Sequence, residues 1–369
     1  MLGCGGDGGD SSNGLGTATG EISSTSEFGQ RLFFDVNLSS TRTQSCATCH
    51  NPDQGLADSR DNGIASMVSL GADGQSLGKR NAPTLSYAAF TPTFTQLANG
   101  QFRGGQFLDG RANDLASQAI NPILGADEMG LGDNATLYSR ILENEDYTEA
   151  VLQFFGAEVV SDESATIAAV TQALAEFQMG PEFVTFDSKY DRFLADEYEM
   201  TDQESLGRSL FFSAQFANCS QCHQLRSFGG SANETFSNYE YENIGVPRND
   251  ILLSRNGNRS DRGLAENPAA SSEANVGKFR TPTLRNVAVT GPYMHNGVFA
   301  DLRTVILFYD KFNNSQRTTN PETLANWRSA EYPSNVNLPI LESAPALSDG
   351  EVDALVAFLK TLTDKRFEQ

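Results

Sequence analysis

The feature that constrains this chain most is a five-residue motif that occurs twice. Each copy has two cysteines separated by two residues and followed directly by a histidine, which is the attachment pattern of a c-type haem. The thiols bond the porphyrin and the histidine ligates the iron. The sequence therefore predicts two covalently bound haems c. The haem-binding residues are Cys46, Cys49 and His50 in the first copy and Cys219, Cys222 and His223 in the second.

Length and charge narrow the class of protein. The chain has 369 residues, which is long for one hydrophobic core and typical of two domains, each large enough to enclose a haem. No apolar run approaches the ~18 residues of a membrane-spanning helix. The net charge of −21 would repel nucleic acid and anionic lipid head groups, so neither is an expected partner. This charge fits either a basic patch on a redox partner or a general adaptation for solubility.

The N-terminal region differs in composition from the rest of the chain. Residues 1–25 consist mostly of Gly, Ser, Thr, Asp and Asn and predict a flexible tether. The fifth cysteine, Cys4, resembles the lipidated residue at the end of a bacterial lipoprotein signal, and a free cysteine in the tether is the alternative. Because haem is attached covalently outside the cytoplasm, we expect a periplasmic protein that meets a membrane only through a lipid on Cys4.

The two haem motifs belong to a tandem duplication. A short amphipathic helix is predicted before each motif, and similar segments recur after it in the same order. The last match aligns the segments that should cover the free side of each haem, so the two iron sites can be compared position by position. The matched segments are 27–34 with 204–212, 78–85 with 277–284, and 109–115 with 296–302.

The hydrophobic pattern predicts a mainly α-helical protein with two tandem c-type cytochrome domains and long loops around the haems. Residues 163–179 carry apolar residues at helical spacing and end at Gly180-Pro181, which is a stop signal. Capping boxes at 201–204 and 348–351 predict two further helix starts. The predicted domains are an N-terminal haem domain at 26–195 and a C-terminal haem domain at 196–369.

The free sides of the two irons are not equivalent. Two of the three histidines belong to the haem motifs, and the third, His295, follows Met294 in the second half. In the repeat register Tyr309 corresponds to Pro122 of the first half. Proline offers no side-chain ligand, so the first iron is predicted to be open to a small molecule if Tyr309 closes the second. The candidate sixth ligands of the second haem are Met294, His295 and Tyr309.

Two polar residues lie near the predicted open side of the first haem. Gln118 precedes Pro122 by four residues, and Glu128 follows it by six. A carboxylate above an open ferric haem can move a proton from the inner to the outer oxygen of a peroxide, while an amide orients the molecule. The alternative is that both are ordinary solvated surface residues.

Together these motifs resemble the bacterial dihaem cytochrome c peroxidases, including the MauG-type enzymes that oxidise residues of a partner protein. The resemblance covers about residues 27–365. It implies that Glu128 and Gln118 are the distal pair of the peroxide-cleaving haem. The segments that carry it, besides the haem motifs, are 80–84, 109–112, 128–130, 281–286 and 292–295.

The resemblance also implies a calcium ion between the haems. Its ligands would be the side chain of Asn81 and the backbone carbonyls of Thr290 and Pro292. Oxygen ligands of this kind suit a hard cation such as Ca²⁺.

Three departures from the family pattern affect the expected chemistry. The chain has no histidine between the two haem motifs that could block the peroxide site, so the first haem is predicted to be open in the fully oxidised protein. Tyr309 stands where the peroxidases usually have methionine, as in the MauG type, and a phenolate lowers the haem potential. Leu108 occupies the position of a tryptophan between the haems, and Trp327 lies elsewhere in the sequence, so rapid charge sharing between the haems is not expected.

The expected activity is reduction of hydrogen peroxide to water at the N-terminal haem. Electrons would be relayed through the C-terminal haem from a small c-type cytochrome or cupredoxin. MauG-type oxidation of aromatic residues in a partner protein is the alternative, and a plain dihaem electron-transfer cytochrome would require two six-coordinate irons. A homodimer is compatible with the sequence.

Overall fold

A computed structural model of the chain describes residues 20–224, 232–255, 257 and 260–368. Cys4 and most of the predicted tether lie outside the described residues. Ile22 is buried in a hydrophobic core, and the Ser24 side chain accepts a hydrogen bond from the first helix. The folded region therefore begins inside the segment that we assigned to the tether.

The fold is built mainly from helices, as predicted. Four two-residue strands, β1 (Thr95–Gln96), β2 (Phe102–Arg103), β3 (Tyr241–Glu242) and β4 (Phe279–Arg280), form the antiparallel pairs β1–β2 and β3–β4. No helix within the described ranges is long and apolar enough to cross a membrane. The α-helices are α1 (Thr25–Phe34), α2 (Cys46–Cys49), α3 (Leu115–Leu124), α4 (Asn134–Leu142), α5 (Glu145–Phe155), α6 (Ala157–Val160), α7 (Glu163–Gln178), α8 (Lys189–Leu194), α9 (Asp202–Phe212), α10 (Asp250–Arg255), α11 (Leu302–Asp310), α12 (Leu338–Leu341) and α13 (Asp349–Lys360).

Local sequence signals set the ends of the main helices. Thr201 and Glu204 form the predicted capping box of α9, in which each side chain accepts a hydrogen bond from the backbone N–H of the other residue. Ser348 and Glu351 form the same arrangement at α13. Helix α7 ends directly before the predicted Gly180-Pro181 stop.

The described residues contain two large hydrophobic cores. The first joins α1, α3, α5 and α7, and the second joins α9, α11 and α13. Side chains up to Val184 pack against the first core, whereas Tyr190, Phe193 and Leu194 of α8 pack in the second. The chain thus leaves the first core soon after the stop that ends α7, and α8 packs with the half that follows the predicted boundary at residue 195.

The same close helix crossing occurs in each half. A Cβ placed on Gly29 in α1 would lie 1.9 Å from the carbonyl oxygen of Ala173 in α7. At the corresponding position of the second half, a Cβ on Gly207 in α9 would lie 1.9 Å from the carbonyl oxygen of Ala354 in α13. Only glycine permits this backbone approach. The helix before each haem motif is therefore fixed against the last helix of its own core.

We expect Gly207→Ala to lower the free energy of unfolding by about 1–3 kcal/mol, because the added methyl forces α9 away from the α13 backbone. Gly350→Ala is the matched control, since a Cβ at this position in α13 meets nothing within 4 Å and alanine favours a helix by about 1 kcal/mol. Denaturant titration of both variants checks this, and equal stability of Gly207→Ala and wild type would contradict the close crossing.

Candidate active site

Both haem motifs face one cavity of about 860 Å³. Residues from both halves of the chain line this cavity, and they include every candidate that the sequence singled out for iron, peroxide or calcium. The structure therefore brings together groups that lie up to 263 positions apart, from Cys46 to Tyr309. The candidates on its wall are Cys46, Cys49, His50, Asn81, Gln118, Pro122, Glu128, Cys219, Cys222, His223, Thr290, Pro292, Met294, His295 and Tyr309.

The first motif presents its donor atoms to the cavity from a single helical turn. Cys46 and Cys49 are free thiols at the two ends of α2, and burial raises the pKa of Cys46 to about 12 and of Cys49 to about 11. The Nδ1 atom of His50 lies 3.1 Å from the carbonyl oxygen of Leu56, to which it donates in the corresponding tautomer. Burial lowers the pKa of His50, so the imidazole is neutral and its Nε2 is left to ligate a metal.

The second motif repeats this arrangement. Burial raises the pKa of both Cys219 and Cys222 to about 12. The Nδ1 atom of His223 lies 3.2 Å from the carbonyl oxygen of Phe236, and burial lowers the pKa of His223 to about 4. Two adjacent free thiols and a neutral histidine with a fixed ring are the donor set that a c-type haem requires. The residues present at both motifs therefore fit the group.

Helices α3 and α11 place Pro122 and Tyr309 at equivalent positions. Asp114 caps α3 and Asp301 caps α11, and each side chain accepts a hydrogen bond from the backbone three residues on. Pro122 and Tyr309 each follow their cap by eight residues. Burial and the nearby Cys222 and Cys219 raise the pKa of the Tyr309 phenol. The phenol therefore lies close to the second haem motif, whereas the matching position over the first offers a proline ring.

Glu128 and Gln118 line the cavity, and Glu128 lies near the thiols of the first motif. Glu128 follows α3 and is held by two backbone hydrogen bonds, from its N–H to the Gly125 carbonyl and from the Ala72 N–H to its own carbonyl. Burial raises the pKa of the Glu128 carboxyl, and the Arg111 guanidinium partly opposes this. Gln118 lies one helical turn before Pro122, so both occupy one face of α3.

The other two candidate ligands of the second iron have different surroundings. The His295 ring stacks on Phe279, with ring centroids 3.7 Å apart and an angle of 11° between the planes. Burial lowers the pKa of His295 to about 4, although Asp261 opposes the shift. Met294 has a left-handed backbone, with φ of 71°. Both residues reach the cavity, but the histidine ring is engaged by Phe279.

A network of charged side chains along the cavity joins the two halves. Arg80 donates to Asp109 of the first half (2.7 Å) and to Asp261 of the second (2.6 Å). Arg80 holds the pKa of the Asp261 carboxyl well below its usual range, against the effect of burial. Sequence reasoning missed Asp261, because it lies outside all the matched segments of the repeat and carries no local signal.

Leu108 and Trp327 lie in different parts of the structure. Leu108 lines the cavity, and its carbonyl oxygen accepts a hydrogen bond from the Arg280 N–H (2.9 Å). Trp327 packs in the second core, edge to face with Phe299 and Phe308, each with ring centroids 5.9 Å away. Position 108 thus presents an aliphatic side chain to the cavity, and the tryptophan of the chain lies in the second core.

Two haem-attachment motifs on one cavity, with a phenol near one and a carboxylate near the other, define a dihaem oxidoreductase that acts on a small oxidant. The profile of the di-haem cytochrome c peroxidase family matches residues 23–199. The chain is 46% identical to the methylamine utilization protein MauG of Paracoccus denitrificans (strain Pd 1222), over 92% of this chain and 88% of that protein. It is 30% identical to the cytochrome c551 peroxidase of Nitrosomonas europaea, over 94% of this chain and 81% of that one.

The fold is also similar to a solved structure of a diheme peroxidase. The diheme peroxidase BthA from Burkholderia thailandensis E264 superimposes with a TM-score of 0.83 at 33% identity, covering 93% of this chain and 87% of that chain. The chain belongs to the di-haem cytochrome c peroxidase family. It is a peroxidase-type oxidoreductase with two haems, which confirms the family that the sequence motifs predicted.

Proposed function

We propose that the chain reduces hydrogen peroxide to water at the haem of His50, in an N-terminal c-type domain, with electrons relayed through the haem of a C-terminal domain at His223. The observation that carries the proposal is the contrast between Pro122 and Tyr309 at equivalent helix positions. Proline cannot ligate a metal, so peroxide can reach the first iron. A phenol beside Cys219 and Cys222 can close the second, with Met294 as the fallback ligand.

Both haems are covalently attached in this proposal. The paired thiols of each motif form thioether bonds, and His50 and His223 ligate through Nε2, because Nδ1 of each ring is engaged by a backbone carbonyl. When bound, haem supplies the redox-active iron at which the O–O bond of peroxide is cleaved. The free thiols, the neutral histidines and the shared cavity support this assignment.

Glu128 transfers the peroxide proton, and Gln118 orients the peroxide. The Glu128 carboxylate takes the proton from the inner oxygen and gives it to the outer oxygen, which leaves as water. Its raised pKa suits this task, because a carboxylate with a higher proton affinity is a stronger base. The Gln118 amide donates a hydrogen bond that orients the peroxide, one turn from the open position at Pro122.

We further propose a calcium ion held by the Asn81 side chain and the carbonyls of Thr290 and Pro292. The three residues line the same cavity. The Asn81 amide nitrogen donates to the Met67 carbonyl (3.0 Å), which orients the side chain and leaves its oxygen as the ligand. The Asn81 N–H donates to the His295 carbonyl (2.8 Å), so the ion would tie the two halves together.

The electron donor defines two versions of this activity. A small c-type cytochrome or cupredoxin would make the protein a cytochrome c peroxidase. Oxidation of aromatic residues in a partner protein is the second version, and the phenol of Tyr309 near the second motif favours it, because a phenolate ligand lowers the haem potential. A basic surface on the partner would complement the net charge of −21.

The proposed location is the periplasm. Covalent attachment of haem at cysteine motifs takes place outside the cytoplasm, and both motifs have their thiols free for it. A lipid on Cys4 would hold the protein at a membrane surface, and mass spectrometry of native material tests this.

The main experiment adds hydrogen peroxide to the fully oxidised holoprotein and then offers a panel of reduced small cytochromes and cupredoxins. We expect the absorption spectrum to change at once, because Pro122 leaves the first iron open. Rapid turnover with a donor identifies a peroxidase, and a persistent oxidised state without turnover identifies the version that acts on a protein. A spectrum that stays constant until the second haem is reduced would refute the open site.

We expect Tyr309→Phe to convert the second haem from low spin to high spin, because the variant loses the phenol oxygen that ligates the iron. Tyr293→Phe is the matched control, since Tyr293 also lines the cavity but its hydroxyl donates to the Val287 carbonyl (3.0 Å). Electron paramagnetic resonance checks both variants. An unchanged low-spin signal in Tyr309→Phe would show that Tyr309 is not the ligand and would leave Met294 and His295 as the candidates.

We expect Glu128→Gln to slow peroxide cleavage by about 10²–10⁴-fold, because the amide cannot accept the proton. In the wild type the rate should fall as the pH drops through the raised pKa of Glu128, and this limb should be absent from the pH profile of the variant. Glu149→Gln, at an exposed position of α5, is the control. Normal stopped-flow rates in Glu128→Gln would remove the residue from the mechanism.

A further inference from the structure

Tyr87 lines the cavity that both haem motifs face, and its hydroxyl is hydrogen-bonded to a buried carboxylate. Its side chain is 1% exposed and lines the cavity that both haem motifs face. The hydroxyl donates to Oδ1 of Asp364 (2.5 Å) and accepts from the Phe186 N–H (3.0 Å). The phenol proton therefore already lies on a path to a base.

This pair lies where the two halves of the duplication meet. Tyr87 and Asn286 follow the matched segments at the same distance, and both have left-handed backbones, with φ of 61°. Asn286 donates from its side chain to the other oxygen of Asp364 (2.8 Å), and its own Oδ1 accepts from the Asp364 N–H (2.8 Å). The first half thus contributes a phenol, and the second half an amide, to one carboxylate.

The charges around Tyr87 couple loss of an electron to loss of the proton. The Arg285 guanidinium lies 5.4 Å from the centre of the ring and pairs with Asp191. A nearby cation opposes removal of an electron from the ring unless the proton leaves as well. Burial raises the pKa of both Tyr87 and Asp364, so the resting phenol keeps its proton while the carboxylate binds one readily.

Two other residues on the cavity, Tyr293 and Leu108, are less suitable. The Tyr293 hydroxyl donates to a backbone carbonyl, which cannot take up a proton at ordinary pH. Leu108, at the position of the family's tryptophan, has no aromatic ring to oxidise. Among these cavity-lining residues, Tyr87 has both an oxidisable ring and a carboxylate bonded to its hydroxyl.

We propose that Tyr87 is a redox-active residue that gives one electron to the peroxide-reducing site while its phenol proton moves to Asp364. The step rests on the proposed function, because hydrogen peroxide is the oxidant. Reduction of hydrogen peroxide to two waters takes two electrons and two protons. Tyr87 supplies one electron, its O–H bond breaks, and a new O–H bond forms on Asp364, which becomes a neutral acid. The second electron would be supplied by the bound haem, and the two protons come from solvent.

The test mixes the fully oxidised holoprotein with hydrogen peroxide in the absence of a donor, freezes it rapidly and records electron paramagnetic resonance and absorption spectra together. We expect a tyrosyl radical signal in the wild type that narrows when the tyrosine rings are deuterated. Tyr87→Phe should abolish it. Asp364→Asn should abolish it with the phenol still present, because the amide cannot accept the proton.

Tyr147→Phe is the matched control, because Tyr147 is also buried and donates to a carboxylate, Asp35 (3.1 Å), but packs inside the first core. The signal should persist in this variant. A tyrosyl signal that survives in Tyr87→Phe overturns the proposal. An absorption change without any tyrosyl signal in the wild type also overturns it and leaves the proposed function standing, whereas no absorption change at all refutes both.

Discussion

Buried polar contacts hold the two halves of the chain against each other, and the contact of Arg80 with Asp261 and Asp109 is a charged one beside the cavity. It joins a cation on the cavity wall from one half of the chain to a carboxylate from the other. Removing one partner of such a buried pair typically costs about 3–5 kcal/mol, because the remaining charge is uncompensated. The two cores are otherwise organised separately, each by its own glycine crossing at Gly29 or Gly207. Contacts of this kind, together with those of Asn81 with His295 and of Tyr87 with Asp364, are what join the two halves around a single cavity.

The residues proposed to carry the function lie at positions that differ between the two halves of the duplication. The helix crossings, the caps of α3 and α11 and the bonds of the two proximal histidines are the same in both halves. Pro122 in one half corresponds to Tyr309 in the other, and Tyr87 corresponds to Asn286, so that a phenol and an amide contact Asp364 from the two halves. Each half keeps the residues that fit a haem, and the proposed difference between the two haems rests on the positions at which the halves differ.

The sequence revealed the local features and not the long-range ones. The capping boxes of α9 and α13 and the end of α7 depend on residues within a few positions of one another, so they could be predicted. The repeat register also brought Pro122 and Tyr309 into correspondence. Asp261 and Asp364 act through partners far away in the chain, and two-residue strands such as β3 have no periodicity to detect. The place of α8 in the second core likewise depends on packing that its own pattern does not encode.

Pro122 has an effect on α3 beyond the loss of a ligand. A proline has no N–H, so the Gln118 carbonyl one turn earlier loses its helical hydrogen bond. The Asn121 side chain compensates by donating to the carbonyls of Ser117 (3.0 Å) and Gln118 (3.2 Å). The proline and the amide that repairs the helix are thus adjacent in the chain. A residue with a backbone N–H at position 122 would restore the helical hydrogen bond to the Gln118 carbonyl and leave the Asn121 side chain redundant there.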